Sequence, residues 1–133
     1  LDARRDALKA RLDAALRELQ RDAKGDPARF LDVLFGEREP VFAPSPTKDA
    51  IRWFDDSLDP TQREAVANAL CAEHVALIHG PPGTGKTTAV VELIRQCVAR
   101  GERILACAPS NVAVDNLAER LLRAGLRIVR LGH

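Results

Sequence analysis

The spacing of apolar positions changes several times along the chain, and each change marks an element. Over residues 1–24, Leu8, Leu12, Leu16 and Leu19 recur with Ala15 alongside and charges between. That spacing sets the leucines on one stripe of a helix about five to six turns long. Gly25-Asp26-Pro27 ends it, and a second short helix is predicted to bury Phe30, Val33 and Leu34. From Gly36 to Asp49 the periodicity is lost while Pro40, Pro44 and Pro46 accumulate, as in an extended linker. Ile51, Trp53 and Phe54 then form an apolar patch that anchors by packing rather than a platform for nucleic-acid bases.

The pattern changes at Leu58. Asp59-Pro60-Thr61-Gln62 has the grammar of a helix start, with Asp at the cap, Pro at the first helical position and Gln three residues after the cap. The helix runs to about Ala72. Val75-Ala76-Leu77-Ile78 follows, too short for a helix and placed directly before a Gly/Pro cluster, so it is predicted to be a buried strand. A helix from Lys86 to about Arg100 is closed by Gly101. Ile104–Ala108 is a second predicted strand, and Pro109-Ser110-Asn111 turns the chain into a helix over 112–124 that Gly125 closes. Ile128–Leu131 is a third strand. Alternating strands and helices with nearly continuous apolar strands argue for an α/β fold with a parallel sheet, βαβαβ, preceded by a helical segment. No internal repeat is visible. The organisation is thus a helical lead-in over 1–35, a Pro-rich linker over 36–57 and an α/β part over 58–133.

Composition adjusts this picture in three places. The length of 133 residues, 46% hydrophobic and 29% charged, is that of about one ordinary globular domain and excludes a disordered or collagen-like chain. The chain contains no Met and starts inside a charged helical pattern, so it reads as a piece of a longer protein. The net charge of +1 excludes any argument from a strongly basic chain. Arg120, Arg123, Arg127 and Arg130 nevertheless cluster near the end, either as a phosphate-facing surface or as solvated arginines on a helix and the strand after it. Cys71, Cys97 and Cys107 form no metal-type pair, which points to reduced cysteines in a cytoplasmic setting, with a nuclear one open if the source is eukaryotic. No apolar run approaches a membrane span, so no membrane partner is expected.

The chemistry lies in Gly80-Pro81-Pro82-Gly83-Thr84-Gly85-Lys86-Thr87, which satisfies G-x-x-x-x-G-K-[ST] in full between a predicted strand and a predicted helix. Glycines there let the backbone turn its N–H groups inward, and the positive end of the helix adds to the grip on phosphates. Lys86 is expected to reach the β- and γ-phosphates and the Thr87 hydroxyl to ligate Mg²⁺. Thr88 stands with the nucleotide-binding residues but is one position late for the metal. Hydrolysis ordinarily needs a further acidic residue at another strand end. Asp55-Asp56 does not follow an apolar strand and reads as a solvated turn, and Asp115 lies within the third helix. The hydrolytic half of the site is therefore not among these residues.

Three features in order now carry a resemblance. Leu58-Asp59-Pro60-Thr61-Gln62 stands eighteen residues before Gly80, the phosphate loop follows, and Cys107-Ala108-Pro109-Ser110-Asn111-Val112-Ala113-Val114-Asp115-Asn116-Leu117 begins twenty-one residues past Lys86. Together they resemble the Q motif, motif I and motif Ia of superfamily 1B helicases. The branch is that of the nonsense-mediated-decay helicase, senataxin and the immunoglobulin-mu-binding helicase, nearest the last, because the likeness continues through Glu119-Arg120-Leu121 to Arg130-Leu131-Gly132-His133. It is dense over 58–133 and thinner over 28–57, where Phe30–Gly36 still fits. The first helix is similar only in position to the stalk helix of that family.

The resemblance implies a partial RecA-like P-loop NTPase domain, the first half of motor domain 1 of an ATP-dependent 5′–3′ helicase or translocase. Its cofactors would be ATP and Mg²⁺ and its partner single-stranded DNA or RNA. Lys86 and Thr87 would be its catalytic residues here. Gln62 would read the adenine edge, with the reciprocal half of a capping box as the rival role. Pro109, Ser110 and Asn111 would contact the backbone of the strand, with helix capping by Ser110 or Asn111 as the rival. By itself the chain is expected not to turn over ATP, and its sheet to leave apolar edges exposed. Two other functions stay open: a P-loop ATPase that acts on proteins, and a nucleic-acid-binding scaffold with a degenerate ATP site.

Overall fold

A computed structural model describes residues 2–22, 26–44 and 51–132. The chain divides into two compact units, Leu1–Val41 and Phe42–His133.

In the first unit, α1 (Asp2–Asp22) and α2 (Asp26–Leu34) are the two helices. The residues between them, like Leu1, the stretch 45–50 and His133, lie outside the described residues, so the stop expected at Gly25 and the proline at position 46 cannot be compared. Leu12 and Leu16 are exposed on α1. The end of α2 is tightly wrapped. Gly36 takes the left-handed conformation at φ 75°, and the amides of Glu37 and Arg38 both donate to Asp32 O, at 2.7 and 3.0 Å. Of the three side chains expected to be buried there, only Val33 is. Phe30 and Leu34 are exposed, because a helix this short hides its apolar stripe only beneath another element and no described element covers those two.

The second unit is built on α3 (Pro60–Cys71), α4 (Lys86–Ala99) and α5 (Asn111–Arg123). α3 packs on α4, and α4 touches α5. Val66, Ala67 and Cys71 from α3 and Ala89 and Ile94 from α4 are buried, with Ile51, Leu58 and Leu121 also enclosed. Asp59 caps α3 as its sequence requires. Its carboxylate accepts from Gln62 N at 2.9 Å, and Asp59 N donates to Gln62 Oε1 at 3.0 Å. At the other end of α3, Phe42 pairs antiparallel with Ala72, and Ala43 N donates to Cys71 O at 2.7 Å. Gly101 and Gly125 stop α4 and α5 in the left-handed region, at φ 83° and 81°.

Residues 51–58 lie across α3 and α4 as a strap. Ile51 and Leu58 are buried at its two ends. Between them Asp55 forms a local turn, accepting from the hydroxyl of Ser57 at 2.6 Å and from Ser57 N at 2.9 Å. Those hydrogen bonds, helped by the charges of Arg95 and Arg63, hold the Asp55 carboxyl below its usual range.

The three segments expected to be buried strands are neither helical nor paired in a ladder among the described residues. Leu77, Leu105 and Val129 are 91%, 82% and 84% exposed, the reverse of the burial their composition predicts. A central parallel strand is buried only when strands flank it and helices cover both faces. Among the described residues no strand pairs with these segments.

Candidate nucleotide site

The phosphate loop runs from Gly80 into the start of α4. Gly85 stands at the cap position of α4 with φ 73° and no side chain to offer the helix. Two bonds reach back to it, Thr88 N donating to Gly85 O at 2.8 Å and Ala89 N at 3.1 Å. The amides of Lys86 and Thr87 precede these, where a helix has no internal acceptor to give. They are therefore donors aimed at whatever sits before the helix, at its positive end.

Two of the loop glycines are hemmed in, for different reasons. A Cβ on Gly80 would lie 2.9 Å from the hydroxyl oxygen of Thr84. One on Gly85 would collide with the amide nitrogen of Gln62, at a left-handed φ that other residues rarely adopt. Gly83 also has a positive φ, of 86°, but faces open space.

The loop is held closed by its own side chains. Lys86 Nζ donates to Gly80 O at 2.5 Å and to Pro81 O at 2.7 Å, and Thr84 Oγ1 donates to Pro81 O at 2.9 Å. The ammonium thus spans the first two residues of the loop. Pro81, Pro82, Gly83 and Thr87 are exposed, while Gly80, Gly85, Lys86 and Thr88 are half-buried.

Gln62 joins this loop from α3. Its Nε2 donates to Thr84 O at 3.1 Å, while its Oε1 completes the capping box. The capping role weighed for this residue is therefore realised, and the same amide also holds the phosphate loop.

Pro109, Ser110 and Asn111 are exposed at the start of α5. Ser110 is its cap, its hydroxyl accepting from Ala113 N at 3.2 Å, and Asn111 is the first helical residue. Two of the four clustered arginines have acidic partners. Arg130 Nε donates to Asp115 at 2.9 Å, which gives Asp115 a structural role, and Arg123 pairs with Glu119 at 2.6 Å. Both pairs shrink the basic surface that the spacing of the arginines suggests.

Sequence reasoning missed Glu92 and Gln96, the two buried polar side chains of α4. The signal was present: Glu92 interrupts the apolar run of Val90, Val91, Leu93 and Ile94, and Gln96 stands four residues after it, before Cys97 and Val98.

Comparison with known proteins bears on the same stretch. The family described as AAA domain matches residues 57–133. The chain is similar to the DNA-binding protein SMUBP-2 of Mesocricetus auratus, 52% identical over 125 residues, which is 92% of this chain and 12% of that protein. It is similar to the DNA polymerase alpha-associated DNA helicase A of Schizosaccharomyces pombe, 49% identical over 83 residues, or 62% of this chain and 13% of that protein. The helicase of the same name in Saccharomyces cerevisiae is 32% identical over 127 residues, covering 92% of this chain and 18% of its own length. The chain thus spans 12 to 18% of the length of these relatives.

Proposed function

Because the chain belongs to the immunoglobulin-mu-binding branch of the superfamily 1 helicases, with residues 57–133 forming part of a P-loop NTPase domain, we propose that it is the ATP-gripping part of an ATP-dependent helicase or translocase. The parent protein would move 5′ to 3′ on single-stranded DNA or RNA in the cytoplasm or nucleus. The observation that carries this reading is the loop itself. Lys86 bridges its first two carbonyls, α4 begins at its end with the amides of Lys86 and Thr87 in the first turn, and Gln62 grips the loop from outside.

These residues fit a nucleoside triphosphate with Mg²⁺. Side chains at Gly80 and Gly85 would intrude on the loop's own packing, so the backbone, not side chains, forms the cradle. Lys86 and the amides of Lys86 and Thr87 would hold phosphate oxygens, and the exposed Thr87 hydroxyl would be a metal ligand. Mg²⁺, when bound, neutralises charge on the phosphates. Gln62 would read the adenine edge with the one N–H and the one lone pair that its bonds to Thr84 and Asp59 leave over. Pro109, Ser110 and Asn111 would meet the nucleic-acid backbone where α5 begins, with the cap intact. We assign residues 75–78, 104–108 and 128–131 to the parallel strands of a RecA-like sheet, supported by their order between α3, α4 and α5.

The test is ATP hydrolysis by the full-length protein with and without single-stranded DNA or RNA. Stimulation by the strand, abolished by Lys86→Ala, is the expected result. Hydrolysis unaffected by any nucleic acid would favour an ATPase acting on proteins, and unchanged hydrolysis in Lys86→Ala would refute the phosphate assignment.

A further inference from the structure

Glu92 is 1% exposed and Gln96 8%, one helical turn apart on the face of α4 that meets the strap. Both reach the strap's backbone rather than its side chains. Gln96 Nε2 donates to Arg52 O at 2.8 Å, and Phe54 N donates to Glu92 Oε1 at 3.0 Å. Gln96 Nε2 also donates to Glu92 Oε1, at 2.7 Å, which locks the two side chains together.

Side chains four apart on a helix share a face, so a donor and an acceptor there converge on one stretch of backbone. Gln96 Nε2 and Glu92 Oε1, 2.7 Å apart, meet Arg52 O and Phe54 N as the edge of a neighbouring strand would. Rings fix the contact from its flanks. The Arg95 guanidinium lies 4.7 Å from the centre of the Phe54 ring, and that of Arg63 on α3 lies 5.5 Å from the centre of Trp53. Arg63 further donates to Leu58 O and Asp56 O, each at 3.1 Å.

The strap runs directly into Asp59, and the capping box there contains Gln62, which holds Thr84. Thr84 leads through Gly85 back into α4. The connections close a ring through α4, the strap, the first turn of α3 and the phosphate loop.

We propose that Glu92 and Gln96 are positioning residues of the nucleotide site. By gripping the strap they fix α4 against α3, and so fix Lys86 and Thr87 at the head of α4 against the loop carbonyl that Gln62 holds. They touch no phosphate themselves. The inference rests on the reading of residues 80–87 as the ATP loop. It matters because small displacements of groups that grip a reacting centre are costly in rate and affinity. Glu92 Oε2 is buried without a hydrogen-bond partner among the described residues, so Gln at this position keeps the acceptor that the strap uses.

The experiment measures MgADP affinity and the kinetic constants for ATP in the full-length protein. Glu92→Ala and Gln96→Ala are each expected to weaken MgADP binding and raise KM about tenfold, with a smaller change in kcat, while Glu92→Gln stays within about twofold of the parent. Alanine variants that melt earlier but bind MgADP with parental affinity would overturn the proposal, since that is what a purely structural pair would do. A loss in Glu92→Gln as large as in Glu92→Ala would overturn the acceptor geometry. Should Glu92→Ala fail to fold, parental affinity in Gln96→Ala decides against the proposal and a tenfold loss decides for it. Lys86→Ala is measured alongside. If it leaves MgADP binding intact, the loop reading itself has failed, whatever the strap variants do.

Discussion

Gln62 Nε2 donates to the backbone carbonyl of Thr84 at 3.1 Å, so the first turn of α3 and the phosphate loop share one side chain. The other end of that amide accepts from Asp59 N. Gln62→Ala therefore removes a cap and a loop contact together. It is expected to cost about 1 kcal/mol of stability by denaturant titration, the usual value of such a cap. If the amide also reads adenine, the preference for ATP over GTP falls in the same variant. A stability loss with an unaltered preference would leave capping as its whole role.

Gly85 and Gly83 make a matched pair for separating backbone strain from collision. Both have positive φ, but only Gly85 has Gln62 where a side chain would go. Gly83→Ala is expected to cost about 1 kcal/mol, the strain of the left-handed conformation. Gly85→Ala should cost about 1–3 kcal/mol and weaken MgADP binding as well, because Gln62 must leave the loop. Equal losses in urea titrations of the two variants would contradict the role given to the Gln62 contact.

Ser110 carries two readings that two substitutions can part. Ser110→Ala removes the cap of α5 at a cost of about 1 kcal/mol, whereas Ser110→Gly costs only a few tenths and also removes the hydroxyl. A hydroxyl that contacts the nucleic-acid backbone makes both variants bind single-stranded DNA or RNA more weakly, as read by fluorescence anisotropy. Parental affinity in Ser110→Gly would leave this residue as a cap alone.

Burial pushes the Cys97 thiol up to about 11, and its hydrogen bond with Glu102 and that carboxylate's charge push the same way. The thiolate is the reactive form, so Cys97 stays unreactive until the pH approaches that value. Cys107 is exposed. Peptide mapping after iodoacetamide treatment at pH 8 should find Cys107 alkylated first and Cys97 spared. Glu102→Ala should bring Cys97 labelling to lower pH, and an unmoved pH profile would contradict the role of that carboxylate.

What could be read from the chain was what closes over a few residues. Asp59, Pro60 and Gln62 specify a capping box within four positions, and Gly101 and Gly125 stop their helices where they stand. The phosphate loop is nearly as local: Gly80 answers to Thr84 four residues on, and Gly85 alone answers to a distant side chain, that of Gln62. Strand pairing is not local. Leu77, Leu105 and Val129 sit in runs apolar enough for a buried sheet, yet burial depends on neighbours that the spacing along a chain does not supply. Phe30 and Leu34 failed in the same way. The strap shows the limit most clearly. Ile51, Trp53 and Phe54 are legible as an anchor, but the partners of Arg52 O and Phe54 N lie 44 and 38 residues further on.

Those separations set an order of assembly. The capping box of α3 closes over three residues, whereas the bond from Gln96 to Arg52 O closes over 44. Loop closure costs more as the logarithm of length, about 2 kcal/mol between these two. The helices and their caps can therefore form before the strap docks, and the strap can open as a local unit of the folded chain. Its release removes one tie between α4 and α3 while every helix stays formed. Partial opening, well short of unfolding, is then enough to loosen the grip on a nucleotide.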